Sequence, residues 1–537
     1  MLFRSMALRE LVVTRAFQAG TNGHQLLYIN DRLKHRQTTI EYDKILLGPI
    51  GDKRGVEQGG VSSSDLYQLV NNPAIELSQS SGLGLSLDGL HVASVGAADD
   101  VALVSTSINS LQSLVNLSVE TAGASHTVFV PSKIKLLAFH PPRQAIEVDC
   151  LVTTSRLTLG SDVIHASPEA DHLGLLRATS GNMAAVMARI SAHTKSLFAI
   201  LPAGLARHHA PNPAASLRAE RSFGEPVLLS GLPALVLNGS QMDVLSHHHN
   251  LTIQRLIKLH NKTPRCAVFL IAGTLPIEPK VHSRQLGLFG MIARLGSSHI
   301  LHTRATMVCS NPGINKKQSW FAHISDLLNL YNLPPPTIIL TQPPTKSSWL
   351  SMVSKAILSH WHRKLAMEEA AELTSLEFLR ASHLSLSRPH MMWTVCPSGP
   401  LPAKQTSLMA RILSGRYNSC WLRRHWDKSD GCCRLPDCGA PRGDITHIFS
   451  GQCPALQKAS SKAVSRWCTA VTNSPHLITF VTDLTLRPPT NRLEFLTDPS
   501  TDPMAITLAQ THGPWIWTVM FYLARTWLFT HHQDRLL

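Results

Sequence analysis

Four residues near the end of the chain have the types and the spacing of a metal-binding group. They follow the pattern Cys433-x4-Cys438-x8-His447-x5-Cys453. Three thiolates and one imidazole form a closed tetrahedral set for a structural Zn²⁺ ion, and ligands close in sequence lose little loop-closure entropy on binding. Cys432 could replace Cys433 as the first ligand. The alternative is four unrelated residues of a polar loop.

Two adjacent carboxylates, Asp99 and Asp100, form a second candidate for chemistry. They lie between two apolar segments, 92–96 and 101–104, that we expect to be the strands of a hairpin. Mg²⁺ prefers one or two carboxylates together with waters and substrate phosphates, so such a turn suits a magnesium site. The alternative is a solvated turn in which aspartate serves the turn conformation.

Two further segments accompany the carboxylate pair. Residues 55–60, Gly-Val-Glu-Gln-Gly-Gly, precede it, and residues 132–135, Ser-Lys-Ile-Lys, follow it. In this order the three segments resemble the palm of the reverse transcriptases of non-LTR (LINE-type) retrotransposons. That family carries a Gly-x-x-Gln-Gly element, an Ala- or Tyr-x-Asp-Asp turn and a Ser-Lys-Thr-Lys strand.

The resemblance implies template-directed nucleotidyl transfer by two metal ions, from deoxynucleoside triphosphates onto a DNA primer or target along an RNA template. It assigns the binding of Mg²⁺ (or Mn²⁺) to Asp99 and Asp100. Gln58 and Gly59 would approach the incoming nucleotide and the template. Lys133 would lie near the triphosphate, as a cation or as a proton donor to the leaving pyrophosphate.

The sequence departs from the family pattern in two respects. Family members supply another metal-binding aspartate from an earlier palm strand, and Asp31, Asp43 and Asp52 lack that context. Glu57 stands where the family usually has a basic or neutral residue, whereas Ser63 falls on a family serine and is assigned to substrate binding. We therefore expect an N-terminally truncated polymerase that synthesises little or no DNA. The alternative is a non-catalytic RNA- or DNA-binding protein derived from such an element.

The cysteine and histidine group resembles the Cys-Cys-His-Cys knuckle near the C-terminus of the same polymerases, including the proline that follows the last cysteine. The segment before it interleaves cations with flat rings, which suit phosphates and unstacked bases. The candidates for nucleic-acid binding are Arg416, Tyr417, Trp421, Arg423 and Arg424. The alternative is an ordinary helix that places its aromatic rings in the core and its arginines in solvent.

Apolar periodicity around these candidates predicts an α+β fold. The expected strands lie at 26–29, 36–40, 85–87, 90–92, 92–96, 101–104, 128–130 and 136–139, and the expected helices at 65–70, 108–122, 182–197, 226–310, 349–379 and 515–529. We expect a strand turn at 172–174. We expect loops at 206–225 and at the histidine runs 208–209 and 247–249.

The resemblance turns these elements into a partial right-hand palm, an antiparallel sheet with helices, followed by a helical thumb and a helical C-terminal region with a zinc knuckle. The expected divisions are the partial palm (1–140), the palm end with a primer-grip-like hairpin (141–205), the thumb-like region (206–330), a Pro-rich linker and helical connector (331–405), the basic segment with the knuckle (406–470) and a helical tail (471–537).

The net charge predicts a nucleic-acid partner, and the cysteine usage predicts a reducing compartment. Lys and Arg number 50 against 35 Asp and Glu, so the net charge is +15, and we expect the surplus to line a nucleic-acid track. The 44% hydrophobic content excludes a wholly disordered chain. Six of the ten cysteines lie in the final quarter, which predicts one metal site in a reduced protein. No signal peptide is visible, and we expect a nuclear or cytoplasmic, non-secreted protein without a membrane partner.

Overall fold

The structure is a computed structural model that divides into two compact units, residues 1–185 and 186–537, and each unit is described by itself. The described residues are 9–34, 37–51, 62–87, 89–97, 100–124, 129–139, 157–200, 213–310, 319–372, 376–397, 399–419, 422–424, 428 and 430–536. Helices predominate, with short antiparallel strands confined to the first unit, so the α+β class is confirmed for this part of the chain.

The first unit contains helices separated by short hairpins. Its elements are α1 (Arg9–Gln18), α2 (Gly23–Lys34), β1 (Gln37–Tyr42), β2 (Ile45–Gly51), α3 (Ser63–Ser80), β3 (Leu85–Leu87), β4 (Leu90–Val92), β5 (Ser94–Ala97), β6 (Asp100–Leu103), α4 (Ile108–Ala124), β7 (Leu157–Leu159), β8 (Asp162–Ile164), β9 (Glu169–His172) and β10 (Leu175–Ala178). Within the described ranges the strands pair only as consecutive hairpins, in five two-stranded sheets. A continuous palm sheet therefore stays a prediction.

The predicted hairpins are present, and left-handed backbone positions mark two of their turns. Gly89, at φ +82°, lies between β3 and β4. Leu173 and Gly174, at φ +52° and +71°, join β9 to β10, as the two-residue turn of a tight hairpin requires. Strands β5 and β6 pair from Ser94 opposite Leu103 to Ala97 opposite Asp100.

Several local expectations for the first unit were wrong. Residues 26–29 lie inside α2 and not in a strand. The prediction failed because a four-residue apolar run cannot distinguish a strand from a helix. Residues 131–133, which end at Lys133, form one turn of 3₁₀ helix and not a strand. Pro131 is the first residue of this turn, a position where the missing N–H of proline costs no hydrogen bond. After that turn only Leu136 makes an isolated bridge, to Ala166, so the segment expected as a strand at 136–139 is not one.

In its described part the second unit contains helices, joined by turns and irregular segments, and no strand. Its helices are α5 (Met183–Ile200, which begins just before the boundary), α6 (Pro213–Ala219), α7 (Glu225–Leu229), α8 (Gly239–Leu256), α9 (Arg265–Ala272), α10 (Ile277–Ala293), α11 (Ile300–Ser310), α12 (Trp320–Leu330), α13 (Pro336–Thr341), α14 (Lys346–Ala371), α15 (Met391–Thr394), α16 (Pro400–Leu413), α17 (Ile445–Phe449), α18 (Gln457–Val471), α19 (Pro475–Leu486), α20 (Pro489–Thr497), α21 (Pro503–His512) and α22 (Trp515–Leu536).

One hydrophobic core joins these helices from Leu197 to Leu528. Large buried rings anchor it through their polar edges: the indole N–H of Trp349 donates to the carbonyl of Leu286, at 2.8 Å, and that of Trp467 donates to the carbonyl of Leu523, at 2.8 Å. Gly290 of α10 lies directly against the Trp349 ring, where a Cβ atom would collide with it. The thumb-like, connector, knuckle and tail segments therefore share one core.

Two segments of the second unit differ from their expected conformation. The Pro-rich stretch that we expected to be a linker contains helix α13, and its Leu333, Ile339 and Leu340 are buried in the common core. The expected loop at 206–225 is helical from Pro213 onward, with a π-helical turn at Glu220–Gly224. Both differences arise because neighbouring helices bury the apolar side chains of these segments. Local composition does not reveal such neighbours.

The expected closing helix is α22. Its Met520, Phe521, Leu523, Ala524, Trp527 and Leu528 are buried in the core. Among the described residues, no helix has the length and the apolarity that a membrane span needs.

Candidate metal centre

The first two ligands of the candidate centre, Cys433 and Cys438, lie on one compact turn between α16 and α17. The N–H of Cys433 donates to the carbonyl of Ala440, at 2.9 Å, and the N–H of Cys438 donates to the carbonyl of Leu435, at 3.3 Å. Gly439 adopts a left-handed conformation, with φ +60°, that glycine adopts without strain. The turn therefore brings two cysteines to the same side although four residues separate them.

The third ligand, His447, is fixed by the start of helix α17. Asp444 caps this helix, and its Oδ1 accepts a hydrogen bond from the N–H of His447, at 2.8 Å. The other carboxylate oxygen of Asp444 pairs with the guanidinium of Arg442, at 2.6 Å. The capped first turn therefore holds the backbone of His447 in place.

The fourth ligand, Cys453, directly precedes a 3₁₀ turn, Pro454–Leu456, and is fully buried. The N–H of the first residue of a helical turn has no partner within the turn, so proline, which lacks an N–H, is tolerated there. The chain can therefore turn sharply just after the cysteine. The backbone N–H of Ala455 hydrogen-bonds to the Cys453 thiol, and the N–H of Leu435 hydrogen-bonds to the Cys433 thiol. Such N–H donors orient the sulfur atoms and favour their ionised form.

The four side chains converge with the dimensions of a tetrahedral site. All four ligand atoms lie within 4.8 Å of one another. The Sγ atom of Cys438 lies 3.1 Å from Nε2 of His447 and 3.7 Å from Sγ of Cys453. A tetrahedral ion with bonds to sulfur of about 2.3 Å separates its sulfur ligands by about 3.8 Å. This group can therefore hold a metal ion such as zinc, as the spacing predicts.

Protonation is the competitor of a metal ion at this site. Burial raises the pKa of the Cys433 thiol and raises that of Cys453 to about 12. Burial also lowers the pKa of His447, although the charge of Asp444 opposes that shift. An ion must displace protons from the thiols, whereas it meets a neutral imidazole, so its affinity rises with pH.

The centre is anchored to the core of the second unit. Phe449, at the end of α17, contacts the Tyr417 ring edge-on, with centroids 4.9 Å apart, and its carbonyl accepts from the indole N–H of Trp527, at 2.8 Å. Arg492 donates to the carbonyl of Ser450, at 3.4 Å. The knuckle is thus built into the helical unit and shares its core.

The choice between the two adjacent cysteines is settled by geometry. Cys433 belongs to the four-ligand group, whereas Cys432 does not. The N–H of Cys432 donates to Asp430, at 3.0 Å, one residue outside the knuckle turn.

The basic lead-in is divided between core and surface. Tyr417 is only 4% exposed, its hydroxyl pairs with Nδ1 of His532 at 3.1 Å, and its ring lies under the guanidinium of Arg535 at 5.2 Å. This placement matches the core alternative for Tyr417. Arg416, Arg423 and Arg424 are half-buried, and Trp421 lies outside the described residues.

The predicted polymerase residues lie in the first unit, and the structure describes only some of them. Asp100 is exposed at the start of β6, and Lys133 is exposed at the end of its 3₁₀ turn. Ser63 is half-buried and opens α3. Gln58, Gly59 and Asp99 lie outside the described residues. Among the residues that the structure describes, the Cys₃His group is the single cluster able to hold a metal, so Mg²⁺ binding at Asp100 stays a prediction.

A buried charge network escaped the sequence analysis. His193 is fully buried, with Nε2 3.0 Å from Glu220 Oε1 and Nδ1 2.8 Å from Nε2 of His248. The histidine run expected as a loop lies inside α8, where His249 is buried against Phe269, and burial lowers the pKa of His248 to about 4. These partners are far apart in sequence, so no spacing rule could have found them.

Comparison with known proteins adds no relative. No family model matches the sequence, and no curated protein matches it. Function is therefore inferred from the chemistry of the chain's own residues.

Proposed function

We propose that this chain is a nucleic-acid-binding part of a retroelement-type RNA-directed DNA polymerase whose C-terminal region is stabilised by Zn²⁺. The observation that carries the proposal is the convergence of Cys433, Cys438, His447 and Cys453 within 4.8 Å, in a basic chain. The order and spacing of these ligands resemble the C-terminal knuckle of non-LTR reverse transcriptases. The net charge of +15 supports a polyanionic partner.

The donor set fits a structural rather than a catalytic ion. Four protein ligands fill a tetrahedral shell, so no position stays open for water or substrate. When bound, Zn²⁺ would cross-link the knuckle turn, helix α17 and the loop that contains Cys453. Burial of Ile448 and Phe449 already joins α17 to the core, and the metal would add the folding energy that fixes the other two pieces to it.

The polymerase part of the proposal has support from the first unit. Strands β5 and β6 form a hairpin whose last pair is Ala97 and Asp100, so only two residues, one of them Asp99, separate the paired ends. A hairpin end is the place where the family presents its metal-binding aspartates. Little synthesis is expected, because no earlier aspartate of this sequence has the context of the family's other metal-binding carboxylate.

RNA and DNA binding by the purified full chain tests the proposal. We expect the zinc-loaded chain to bind fluorescent single-stranded RNA and DNA, with an affinity that falls steeply as salt rises from about 50 to 200 mM. Cys438→Ser should weaken binding by disordering the knuckle, whereas Cys468→Ser, at an exposed cysteine outside the group, should not. Absence of binding at low salt would overturn the proposal.

The second candidate is a non-catalytic nucleic-acid-binding protein derived from such an element. It is favoured by the sequence, in which Asp31, Asp43 and Asp52 lack the context of the family's earlier metal-binding aspartate. Primer extension on an RNA template with Mg²⁺ or Mn²⁺ separates the two candidates. Template-dependent synthesis that Asp100→Asn abolishes would favour the polymerase, and its absence with intact binding would favour the non-catalytic protein.

A further inference from the structure

Three segments of the second unit bring cations together on one surface. They are the turn after α8, the end of α16 with the residues that follow it, and the end of α22. Their basic residues, called here the Arg411 patch, are Lys258, His260, Arg411, Arg416 and Arg535.

Backbone and ring contacts hold the patch together. Nε of Arg411 donates to the carbonyl of Lys258, at 3.4 Å, which ties the end of α16 to the turn after α8. The N–H of Arg416 donates to the carbonyl of Arg411, at 2.8 Å. The guanidinium of Arg535 lies over the Tyr417 ring, with 5.2 Å between its carbon and the ring centroid, so the end of α22 joins the same surface.

The described residues offer the patch no carboxylate as an ion-pair partner. Within the described part of the chain, no carboxylate lies within ion-pair distance of any of its five members, and Nε of Arg416 is buried without a hydrogen-bond partner. Even Asp534, the sequence neighbour of Arg535, forms no ion pair with it. Burial lowers the pKa of His260, and the charges of Arg411 and Arg416 lower it further, as expected for cations that repel one another.

An unneutralised group of cations in a folded protein is stabilised by a polyanion. The patch adjoins the metal centre, because Tyr417, which follows Arg416, contacts Phe449 at the end of the helix that carries His447. Arg411 and His260 are exposed and can reach a ligand, while Lys258, Arg416 and Arg535 are half-buried. Guanidinium groups suit phosphate oxygens because they donate two parallel hydrogen bonds.

We infer that the Arg411 patch binds the phosphate backbone of a single-stranded nucleic acid. The inference rests on the proposed function and assigns its phosphate contacts to residues outside the knuckle. The spread of cations over three segments favours a strand with successive phosphates over a single small anion. Base identity is not read here, because four of the five side chains of the patch are lysine or arginine cations, which suit phosphate.

Salt-dependent binding of the full zinc-loaded chain tests the inference. The double variant Arg411→Gln/Arg416→Gln removes two phosphate contacts, so the slope of log affinity against log salt should decrease by about 1.4, at about 0.7 per contact for single strands. The matched control Lys458→Gln/Lys462→Gln removes the same charge from exposed positions of α18 and should leave the slope unchanged. Circular dichroism and zinc content establish that both variants are folded.

Each outcome separates the two proposals. A wild-type chain that binds neither RNA nor DNA overturns the proposed function and this inference with it. Wild-type binding with equal slopes for the patch and control variants overturns the patch alone. Competition with inorganic triphosphate is the third outcome. If triphosphate displaces the bound strand as well as an oligonucleotide does at the same phosphate concentration, the patch is a small-anion site and the inference is overturned.

Discussion

The Sγ atom of Cys438 lies 3.1 Å from the Nε2 atom of His447, although one residue belongs to a turn and the other to helix α17. Two unrelated elements therefore present ligand atoms to one point, and the cap from Asp444 holds the backbone of His447 in place. A sulfur atom and a nitrogen atom are expected to lie this close where both bind the same metal ion.

Replacing Cys438 by serine should remove the metal and destabilise the second unit. The wild-type chain should contain a single Zn²⁺ ion, and Cys438→Ser should lower the free energy of unfolding by about 4 kcal/mol or more, as loss of a structural metal does. Metal analysis and urea unfolding measure both effects. Cys468→Ser is the control, because Cys468 is exposed and outside the group; equal zinc contents in the two variants would contradict the site.

Tyr417→Leu should lower stability more than it lowers nucleic-acid affinity. The Tyr417 ring is packed against Phe449, so its loss should cost about 1–3 kcal/mol of stability, whereas at the surface it removes only the ring beneath the guanidinium of Arg535. Fluorescence anisotropy below the unfolding temperature should give an affinity close to that of wild type. A loss of about 1–3 kcal/mol in binding, the value of a stacked base, would instead show that the ring contacts nucleic acid.

Two glycines of α10 should respond oppositely to alanine. Gly290→Ala places a Cβ atom on the Trp349 ring and should destabilise the protein by about 1–3 kcal/mol. Gly287→Ala meets only Leu350, at 3.7 Å, and should stabilise the helix by about 0.5–1 kcal/mol. Chemical denaturation of the two variants is the measurement. Similar changes in both would contradict the close packing of α10 and α14.

The buried pair of His390 and Asp498 should make stability depend on pH in the acid range. Nε2 of His390 lies 3.1 Å from Oδ2 of Asp498. Burial by itself raises the pKa of Asp498, but the charge of His390 and the hydrogen bonds from His390 and Ser500 outweigh it, so the pKa lies below its usual value. A carboxylate with a lowered pKa stabilises the folded state above its unfolded pKa of about 3.9, and this contribution is lost as pH falls below that value.

Asp498→Asn tests this dependence. The variant should be less stable than wild type at pH 7, and the difference should shrink as pH falls from about 4 toward the lowered pKa. Urea unfolding across this range measures the difference. Asp243→Asn, at an exposed position of α8, should show no such trend; a constant gap between wild type and Asp498→Asn would show that the pair does not titrate in the folded protein.

The candidate metal group and several hairpins could be predicted because their signals are local. The ligand spacing from Cys433 to Cys453 limits how far the ligand atoms can separate, and Asp88-Gly89 supplies a turn that tolerates a left-handed backbone. The same local view was wrong for residues 26–29. Four apolar residues satisfy a strand and one turn of an amphipathic helix equally well.

The sequence by itself determined the chemistry available: three thiols and an imidazole at metal-binding spacing, an aspartate pair between two apolar segments, and a surplus of cations. Tertiary structure decided which of these groups meet and which are buried. Tyr417 became a core residue, Cys433 rather than Cys432 joined the group that can hold a metal, and Arg411 came to lie beside Lys258. Burial and charge proximity depend on which distant segments pack together, and spacing along the chain does not encode that.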